Sequence, residues 1–319
     1  MSFLPAFRRE LLHVNGVDIH CAVGPPRDAP AVLLLHGYPQ THVIWHAVAP
    51  RLARRFNVVA ADLRGYGESG KPASDDTHAA YSKRTMAADQ VAAMRALGFG
   101  RFHVCGHDRG GRVGHRMALD HPDAVASLAV IDIAPTLAMY ERTTEAFARA
   151  YWHWFFLILP HPTPERMIGA DPLHYLARKM KDGAAGGKPF TAEAWAEYER
   201  CFTPGAVHAS CEDYRAAATI DLEHDRADRD AGRRVRCPLL ALWGAHGVVE
   251  KCFRPLDEWR RVADDVRGRA LPGGHYLPEE LPDAVVSELE SFLDSENRGQ
   301  TPSERTGVCP QVPHRRRCR

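Results

Sequence analysis

The sequence predicts an α/β protein with a mostly parallel, doubly wound sheet and an inserted helical domain. Two observations support this fold class. In the first and last parts of the chain, short apolar runs alternate with stretches of helical spacing, which is typical of strands joined by helices that pack on both faces of one sheet. Between those parts, from residue 136 to about residue 229, the chain is rich in aromatic residues and mostly helical in character.

The strands are predicted from short runs of apolar and β-branched residues. The run at 31–35 is apolar throughout, as in a buried parallel strand, and a second buried strand is predicted at 56–61. Near the N-terminus, a strand leads into a turn at Asn15-Gly16. The predicted strands lie at residues 11–19, 31–35, 56–61, 102–105, 126–133, 238–243 and 269–271.

The helices are predicted where apolar residues recur at helical spacing. The segment 82–97 is a clear example, and Gly98 is its expected end because glycine readily adopts the left-handed conformation that closes many helices. The predicted helices lie at residues 45–54, 82–97, 113–119, 255–263 and 281–293.

These elements divide the chain into segments. Residues 1–135 and 230–294 are predicted to form the two parts of one α/β core. Residues 136–229, where prolines interrupt the helical pattern, are predicted to form an inserted helical cap. Residues 295–319 contain few apolar residues, so a disordered tail is predicted there.

Composition indicates a globular protein without nucleic-acid or membrane partners. The 319 residues are 45% hydrophobic and 25% charged, and the formal net charge of +1 gives no reason to expect either partner. No stretch is long and apolar enough to span a bilayer, and residues 1–13 lack the apolar run of a signal peptide. The eight cysteines are scattered without a C-x-x-C pair, so a cytoplasmic location is predicted.

The segment 104–113, Val-Cys-Gly-His-Asp-Arg-Gly-Gly-Arg-Val, has the pattern of a nucleophile elbow between a strand and a helix. Glycines flank such a turn because the strand and the helix approach too closely for Cβ atoms. The central residue is Asp108, where most elbows have serine. An aspartate, with a reference pKa of about 3.9, is ionised at neutral pH and can displace a leaving group from a saturated carbon, becoming an ester.

Two further residues complete a predicted catalytic triad. His275, after the last predicted strand, is expected to activate the water that hydrolyses the ester. Asp132, at the end of the strand after the elbow helix, is the predicted acid that orients this histidine. The alternative is that Asp132 is only a polar strand-end residue. The rival position for the acid is the loop 244–247, which has no carboxylate before Glu250.

Ester hydrolysis also requires donors for an oxyanion. The backbone N–H groups of Arg109, directly after the nucleophile, and of Tyr38, directly after His36-Gly37, are predicted to supply them. His36 itself is expected to brace its loop. Cys105, beside the elbow, is expected to be a packing residue.

Arg109 and Arg112 indicate the charge of the substrate. Two guanidinium groups beside a nucleophilic carboxylate suit a substrate that carries its own carboxylate, because arginine binds carboxylates with paired donors. The alternative is that Arg112 lies on the helix surface and Arg109 forms a salt bridge with Asp108.

Six stretches of the chain carry a resemblance to a known family. They are residues 36–41, 62–69, 106–113, 151–156, 211–215 and 273–275. With these motifs the chain resembles the fluoroacetate (haloacetate) dehalogenase family of the α/β-hydrolase fold over residues 10–293. The resemblance implies that His153, Trp154 and Tyr214 form a halide pocket, whereas the residues alone favour an aromatic cap core there.

Three interpretations follow. The first is a hydrolytic dehalogenase of haloacetates, acting on a small haloacid without cofactor or metal. The second is an epoxide hydrolase with the same triad, in which Tyr175, Tyr198 or Tyr214 protonates the epoxide, although a neutral epoxide has no use for the two arginines. The third is a non-catalytic binding protein, which the intact triad disfavours. A homodimer and the preference for fluoride or chloride stay open.

The segment His224-Asp225-Arg226-Ala227-Asp228 suggests a metal site at first. The arginine between its acidic residues favours a solvated, salt-bridged segment instead, and no metal is expected.

Overall fold

The computed structural model describes residues 3–185 and 189–297 and contains one eight-stranded sheet. The predicted mostly parallel α/β class is confirmed. The strands are β1 (Arg8–Val14), β2 (Val17–Val23), β3 (Ala31–Leu35), β4 (Asn57–Ala61), β5 (Phe102–His107), β6 (Val125–Ile131), β7 (Leu239–Gly244) and β8 (Val266–Leu271).

The strands lie in the order β1-β2-β4-β3-β5-β6-β7-β8. Strands β3 to β8 are parallel, whereas β1 pairs with β2, and β2 with β4, in antiparallel fashion. The predicted turn at Asn15-Gly16 is confirmed, but the prediction of one strand over residues 11–19 is wrong, because the chain reverses direction at this turn and forms two strands. Asn15 and Gly16 both have positive φ, 49° and 73°, as a two-residue hairpin turn requires.

Fifteen α-helices are described alongside the sheet, together with 3₁₀ turns at His42–Trp45 and Ala79–Tyr81. The helices of the core are α1 (Ala49–Leu52), α2 (Lys83–Ala96), α3 (Arg109–Asp120), α12 (Val248–Cys252), α13 (Pro255–Arg260), α14 (Leu277–Glu280) and α15 (Pro282–Asn297). The helices between β6 and β7, here called the helical insert, are α4 (Thr136–Glu141), α5 (Glu145–Ala150), α6 (Trp152–Phe156), α7 (Thr163–Ala170), α8 (Pro172–Gly183), α9 (Ala192–Cys201), α10 (Pro204–Ala218) and α11 (Ile220–Asp230).

Of the predicted helices, the one at 82–97 has its expected ends, whereas the helix predicted at 113–119 begins earlier, at Arg109, and the one predicted at 255–263 ends earlier, at Arg260. Helix α2 begins after Ser82, whose side chain accepts a hydrogen bond from the backbone N–H of Thr85, and it ends just before Leu97. The predicted helix at 45–54 is wrong in extent, because it is divided into a 3₁₀ turn and the single turn of α1, which has Pro50 near its start. Proline has no N–H with which to continue the hydrogen bonds of a preceding turn.

Helix α15 runs to Asn297, past the predicted end at residue 293. The predicted start of the disordered tail, at residue 295, is therefore too early. Residues 298–319 of that tail, with the run Arg315-Arg316-Arg317, lie outside the described part of the chain. None of the helices in residues 3–185 and 189–297 has the length and apolar character needed to cross a bilayer.

The central strands are buried on both faces. In β3, Leu33 and Leu35 belong to one hydrophobic cluster, and Val32 and Leu34 belong to another on the opposite face. Alternate side chains of a strand point to opposite faces, so an apolar run can pack against helical layers on both sides. Cys105 of β5 is also buried in this core, as expected.

Ion pairs attach the helical insert to the core. The guanidinium of Arg116 on α3 contacts Asp225 at 2.6 Å and Asp228 at 2.5 Å, both on α11. The segment 224–228 is thus salt-bridged, as predicted. It is not fully solvated, however, because the side chain of Asp228 is buried against Arg116. Helix α11 packs one face on the core, and this places the two carboxylates at the interface.

The buried carboxylate of Asp62, directly after β4, joins two loops at the carboxyl edge of the sheet. It accepts hydrogen bonds from the backbone N–H of His42 at 2.7 Å and of Glu68 at 3.0 Å. The imidazoles of His42 and His20 contact the same carboxylate at 3.0 and 3.1 Å. His36 braces its loop, as predicted, because its Nε2 accepts a hydrogen bond from the N–H of Leu63.

Replacing Asp62 with alanine should destabilise the protein strongly. The substitution leaves several buried donors without an acceptor, and removing one member of a buried charged network typically costs about 3–5 kcal/mol. The free energy of unfolding in urea measures the effect. Asp18→Ala, which removes an exposed carboxylate of the neighbouring hairpin, is the control and should leave stability unchanged. Equal stability of the two variants would contradict the bracing role of Asp62.

Candidate active site

Asp108 lies in a sharp turn between β5 and α3, as the elbow pattern predicts. Its backbone has φ 46° and ψ −115°, a conformation that is unfavourable for a residue with a side chain. The strand and the helix are in close contact here. A Cβ on Gly106 would lie 2.4 Å from the carbonyl carbon of Gly110, so a larger residue cannot occupy that position.

One oxygen of the Asp108 carboxylate is already held by the backbone. Its Oδ1 accepts a hydrogen bond from the N–H of Tyr38 at 3.0 Å. The loop approaches so closely that a Cβ on Gly37 would lie 2.5 Å from the Cβ of Asp108. Glycine at position 37 therefore allows the Tyr38 N–H to reach the carboxylate.

The surrounding charges keep Asp108 ionised. Burial by itself raises the pKa of this carboxyl, but the charges of His275 and Arg112 outweigh burial and hold the pKa well below its usual range. The side chain is thus a buried anion at neutral pH. Such a group is suited to nucleophilic attack without a base to deprotonate it.

Asp132 and His275 are in direct contact. The Nδ1 of His275 lies 2.6 Å from Oδ2 of Asp132, and the other oxygen of Asp132 accepts a hydrogen bond from the N–H of Gly244 at 2.9 Å. The rival acid, Glu250, instead accepts a hydrogen bond from the indole of Trp243. The carboxylate at the end of β6 therefore holds the imidazole, which leaves Nε2 of His275 without a hydrogen bond to another described side chain.

His107, at the end of β5, positions the backbone of the histidine loop and is not singled out by the sequence. Its Nε2 donates a hydrogen bond to the carbonyl of His275 at 2.8 Å. Burial lowers the pKa of His107 to about 3, so its imidazole is neutral. A neutral histidine here adds no second positive charge beside the triad.

Arg109 is fully buried and bound to an aspartate of the helical insert. Its Nε and Nη2 donate to the two carboxylate oxygens of Asp213 at 2.9 and 2.6 Å, and Nη2 also donates to the Asp213 carbonyl. The alternative interpretation, in which Arg109 forms a salt bridge with Asp108, is wrong, because its carboxylate partner is Asp213. Its Nη1 is buried and has no hydrogen-bond partner within residues 3–185 and 189–297. The Nε and Nη2 edge of this guanidinium is thus hydrogen-bonded to Asp213, whereas Nη1 is free to bind a ligand.

Arg112 is buried on the first turn of α3, so the alternative of a surface residue is excluded. Its Nη1 donates to the Ala134 carbonyl at 3.1 Å and to the hydroxyl of Thr136 at 3.0 Å. Its Nε has no hydrogen-bond partner in the described part of the chain. The guanidinium lies 4.6 Å from the centre of the Trp154 ring, within range of a cation–π contact.

The three predicted halide-pocket residues lie together. The rings of His153 and Tyr214 are 5.8 Å apart, and those of Trp154 and Tyr214 are 6.3 Å apart. The ring of Tyr214 also lies under the guanidinium of Arg109 at 4.2 Å. Trp154 packs against Phe147 as part of the aromatic core of the insert, yet its indole N–H is buried without a described partner. Both interpretations of this cluster therefore have support from the packing.

Sequence reasoning did not single out Asp213, although it lies next to Tyr214 in a motif that the resemblance includes. It accepts hydrogen bonds from Arg109 and from the hydroxyl of Tyr66 at 2.6 Å, and it pairs with Lys83. Burial raises its pKa, but the charges of Arg109 and Lys83 lower that pKa well below its usual range. These contacts form only where α10 packs on the core, against α3, α2 and the loop after β4, so no local pattern indicates them.

A second residue that sequence reasoning did not single out is Lys179, which is buried on α8. The one sequence signal is its helical spacing. Leu176 and Met180, three residues before and one after, are both fully buried, so Lys179 falls on the inward face of its helix.

Comparison with known proteins supports the assignment of the fold. A sequence family model of the alpha/beta hydrolase fold matches residues 30–178. A fluoroacetate dehalogenase from Burkholderia sp. is 48% identical over 301 residues, which are 94% of this chain and 98% of that protein. The chain belongs to the α/β hydrolase fold family. The predicted resemblance to fluoroacetate dehalogenase is likewise confirmed.

Other members of this α/β hydrolase family match as well. A soluble epoxide hydrolase from Corynebacterium sp. (strain C12) is 33% identical over 288 residues, 88% of this chain and 95% of the relative. A crystal structure of a Salmonella enterica protein superposes with a TM-score of 0.90 at 48% identity, and the match covers 92% of this chain and 97% of that one.

The three tyrosines proposed for epoxide chemistry have different surroundings. The hydroxyl of Tyr175 accepts a hydrogen bond from the hydroxyl of Tyr38 at 3.1 Å. Tyr198 donates to Glu279 at 3.0 Å and accepts from Gln40, so its hydroxyl is engaged away from the triad. Tyr214 packs in the aromatic cluster described above. The structure therefore does not bring a pair of free tyrosine hydroxyls together in the way that the epoxide alternative needs.

Asp213→Asn should destabilise the protein, because the substitution keeps the shape of the side chain but leaves the buried Arg109 without a counter-charge and Lys83 with Asp221 alone. Removal of one partner from a buried ion pair typically costs about 3–5 kcal/mol. The free energy of unfolding in urea reports the change. Asp230→Asn, at an exposed carboxylate that pairs with Arg229, is the matched control and should leave this free energy unchanged. If Asp213→Asn were as stable as the control, the ion pairs would not hold the insert on the core.

Proposed function

We propose that this α/β hydrolase hydrolyses haloacetates, fluoroacetate or chloroacetate or both, to glycolate and halide. The observation that carries the proposal is the combination of an ionised aspartate nucleophile with two buried arginines that keep unpartnered N–H groups beside it. Buried polar groups are nearly always hydrogen-bonded in native proteins, so free donors in a site favour an anionic ligand. The relative named fluoroacetate dehalogenase, at 48% identity, supports the same substrate class.

In the first step, Oδ2 of Asp108 attacks the carbon that bears the halogen. The new C–O bond forms as the carbon–halogen bond breaks, and the electron pair of that bond leaves with the halide. Oδ1 accepts the hydrogen bond from Tyr38, so Oδ2 is the oxygen left for attack. The product is an ester of glycolate on Asp108.

In the second step, water hydrolyses the ester. Nε2 of His275 takes a proton from water, and the hydroxide attacks the carboxyl carbon of Asp108. Asp132 holds the imidazole through Nδ1 and stabilises its positive charge. The negative charge develops on Oδ1, where the N–H of Tyr38 and the N–H of Arg109 stabilise it, and each such donor typically contributes about 10²–10³ in rate. The C–O bond to the Asp108 carboxyl carbon then breaks, and glycolate leaves with the proton from His275. The regenerated Asp108 carboxyl releases the second proton of the water to solvent and is again a carboxylate.

Arg112 and Arg109 bind the carboxylate of the substrate. Arg112 contributes its Nε and Arg109 its Nη1, the nitrogens of these two guanidinium groups that have no partner in residues 3–185 and 189–297. Their positive charges also reduce the repulsion between two anions, the nucleophile and the substrate. The ion pair with Asp213 fixes the orientation of Arg109 and so aims this nitrogen.

His153, Trp154 and Tyr214 bind the halide as it leaves. Fluoride is a poor leaving group, so its developing charge requires donors in the transition state. The indole N–H of Trp154 has no described partner and is available for that role. The helical insert acts as a cap that supplies these donors and excludes water.

Epoxide hydrolysis is the second candidate, favoured by the identity of 33% to the soluble epoxide hydrolase. It would use the same three triad residues. The two arginines argue against epoxide hydrolysis, because a neutral epoxide offers no anionic acceptor to the free N–H groups of Arg109 and Arg112.

We also propose which partners, cofactors and cellular location the enzyme has. A small haloacid is the expected partner, with neither nucleic acid nor membrane involved and no cofactor or metal in the reaction. The described cysteines, at positions 21, 105, 201, 211, 237 and 252, are all free, and this supports a reducing, cytoplasmic location.

The His275→Asn variant should accumulate the ester, because attack by Asp108 needs no base whereas hydrolysis does. In a single turnover with fluoroacetate, we expect about one fluoride per protein and a carboxymethyl ester on Asp108, detected by mass spectrometry of the peptide that contains it. Asp108→Asn is the control and should release no fluoride. An unmodified Asp108, together with no halide release by the wild type, would overturn the dehalogenase proposal.

Arg112→Met should remove the preference for a charged substrate. Loss of a charge-assisted contact of about 1.5–3 kcal/mol predicts a fall of about 10–10² in kcat/KM for chloroacetate. The neutral analogue chloroacetamide should lose far less, so the ratio of the two kcat/KM values is the measurement. Arg95→Met, at an exposed arginine of α2, is the matched control. An unchanged ratio would show that Arg112 does not bind the carboxylate.

A further inference from the structure

Lys179 is a buried cation that the mechanism above does not use. It lies on α8 of the helical insert, and 4% of its surface is exposed. Within residues 3–185 and 189–297 its ammonium has no hydrogen bond or ion pair to a protein group, and it contacts the ring of Tyr38, 5.9 Å from Nζ to the ring centre. Burial of a charge without a partner is costly, so such a group calls for a functional explanation.

The electrostatic partner of this ammonium is the nucleophile. Burial lowers the pKa of Lys179 to about 8, and the charge of Asp108 is what opposes that decrease. Lys179 also contributes, after burial, to holding the pKa of His153 well below its usual range. The geometry agrees, because Lys179 contacts the ring of Tyr38, whose backbone N–H binds Asp108, and lines the same cavity as His153.

A narrow cavity of about 90 Å³ runs between the insert and the core at this point. Lys179 and His153 line it from the insert, and His275 lines it from the core. The exposed His246 and Lys251 lie at its outer side. The cavity has room for a small anion, and its lining extends from His153 and His275 to these solvent-exposed residues.

The position of Lys179 relative to the rings favours the halide over the substrate carboxylate. The Tyr38 ring, which Lys179 contacts, stacks on His153 with centres 6.3 Å apart. Arg112 and Arg109 contact Trp154 and Tyr214, the other two residues of the halide pocket, from α3, and their free donors are assigned to the substrate carboxylate, so Lys179 is the cation on the His153 side of the pocket. The halide pocket as assigned contains only neutral donors, since His153 is neutral, whereas a departing halide carries a full negative charge.

We propose that Lys179 is a halide-binding residue. Its ammonium stabilises the negative charge of the halide as the halide leaves carbon. The same positive charge then guides the halide into the cavity toward Lys251. This inference rests on the proposed dehalogenation. The ammonium donates a hydrogen bond and keeps its proton, so the halide departs as an anion and no other bond changes. Because fluoride needs this charge most, Lys179 favours turnover of fluoroacetate.

The charged and titratable groups around Lys179 define its pH dependence. They are Asp108, His107, His153, His246, His275 and Lys251. His107 and His153 are neutral through the working range because burial lowers their pKa values. The protonated form of Lys179 predominates below its folded pKa of about 8 and is lost as the pH rises through that value.

The test compares Lys179→Met and Lys179→Arg with Lys181→Met, which changes an exposed lysine of the same helix. For Lys179→Met we expect kcat to fall about 10²-fold with fluoroacetate and less than about tenfold with bromoacetate, because bromide leaves readily, while KM changes little. For the wild type, kcat with fluoroacetate should fall above about pH 8. Lys179→Arg keeps the charge at high pH, so this alkaline decrease should disappear.

Two kinetic results would overturn the proposal. An equal loss for fluoro-, chloro- and bromoacetate with a raised KM would indicate that Lys179 binds the carboxylate or only maintains the fold. No loss beyond that of Lys181→Met would indicate that its charge is not used.

A direct binding measurement separates this proposal from the dehalogenase proposal. Bromide is titrated into the wild type and Lys179→Met, and its dissociation constant is followed by the fluorescence of the buried tryptophans. Weaker bromide binding by Lys179→Met supports the halide site even if the wild type releases no halide from any haloacetate. Equal affinity of the two proteins overturns it even if dehalogenation occurs.

Discussion

The ionised carboxylate of Asp108 is the interaction on which the rest of the site depends. Burial alone would favour its protonated form, so the fold has to surround it with positive charge and backbone donors. The nearby charges of His275 and Arg112 and the N–H of Tyr38 do this. The same groups then serve a reaction in which negative charge moves from Asp108 to a leaving group and later returns to Oδ1.

The parallel sheet brings these groups to one edge. Asp108 follows β5 and Asp132 follows β6, which are neighbours, while His275 follows β8 two strands further along. Because all three strands run in the same direction, their carboxyl ends meet on one side, and short loops place the side chains within hydrogen-bond distance. The buried Asp62 connects the loops after β3 and β4 and thereby fixes the position of Tyr38.

The helical insert supplies the second half of the electrostatics. Asp213 on α10 accepts hydrogen bonds from Nε and Nη2 of Arg109 and so orients the guanidinium. Its third nitrogen, Nη1, keeps free N–H groups. Lys179 on α8 brings a further positive charge from the opposite side. The core alone thus contains an activated nucleophile, and the insert adds the groups that distinguish an anionic substrate and an anionic product from neutral ones.

The sequence by itself determined the fold class, the elbow, the order of the triad and the presence of two arginines beside the nucleophile. These features depend on local spacing: apolar runs, glycines that allow close approach, and polar residues at strand ends. It predicts the turn at Asn15-Gly16 but not the pairing of two strands across it, and it does not find the break before α1. Strand pairing and a proline within helical spacing change the extent of short elements without changing their composition.

The pairing of charged residues from distant parts of the chain is visible in the folded protein alone. Arg109 and Asp213 are separated by 104 residues, and Lys179 contacts a tyrosine in a loop of the core near the other end of the chain. Sequence identifies such residues as charged, and helical spacing can indicate that one of them faces inward. Their partners depend on how α8 and α10 pack against the core, since electrostatic contacts between distant segments leave no local periodic signal.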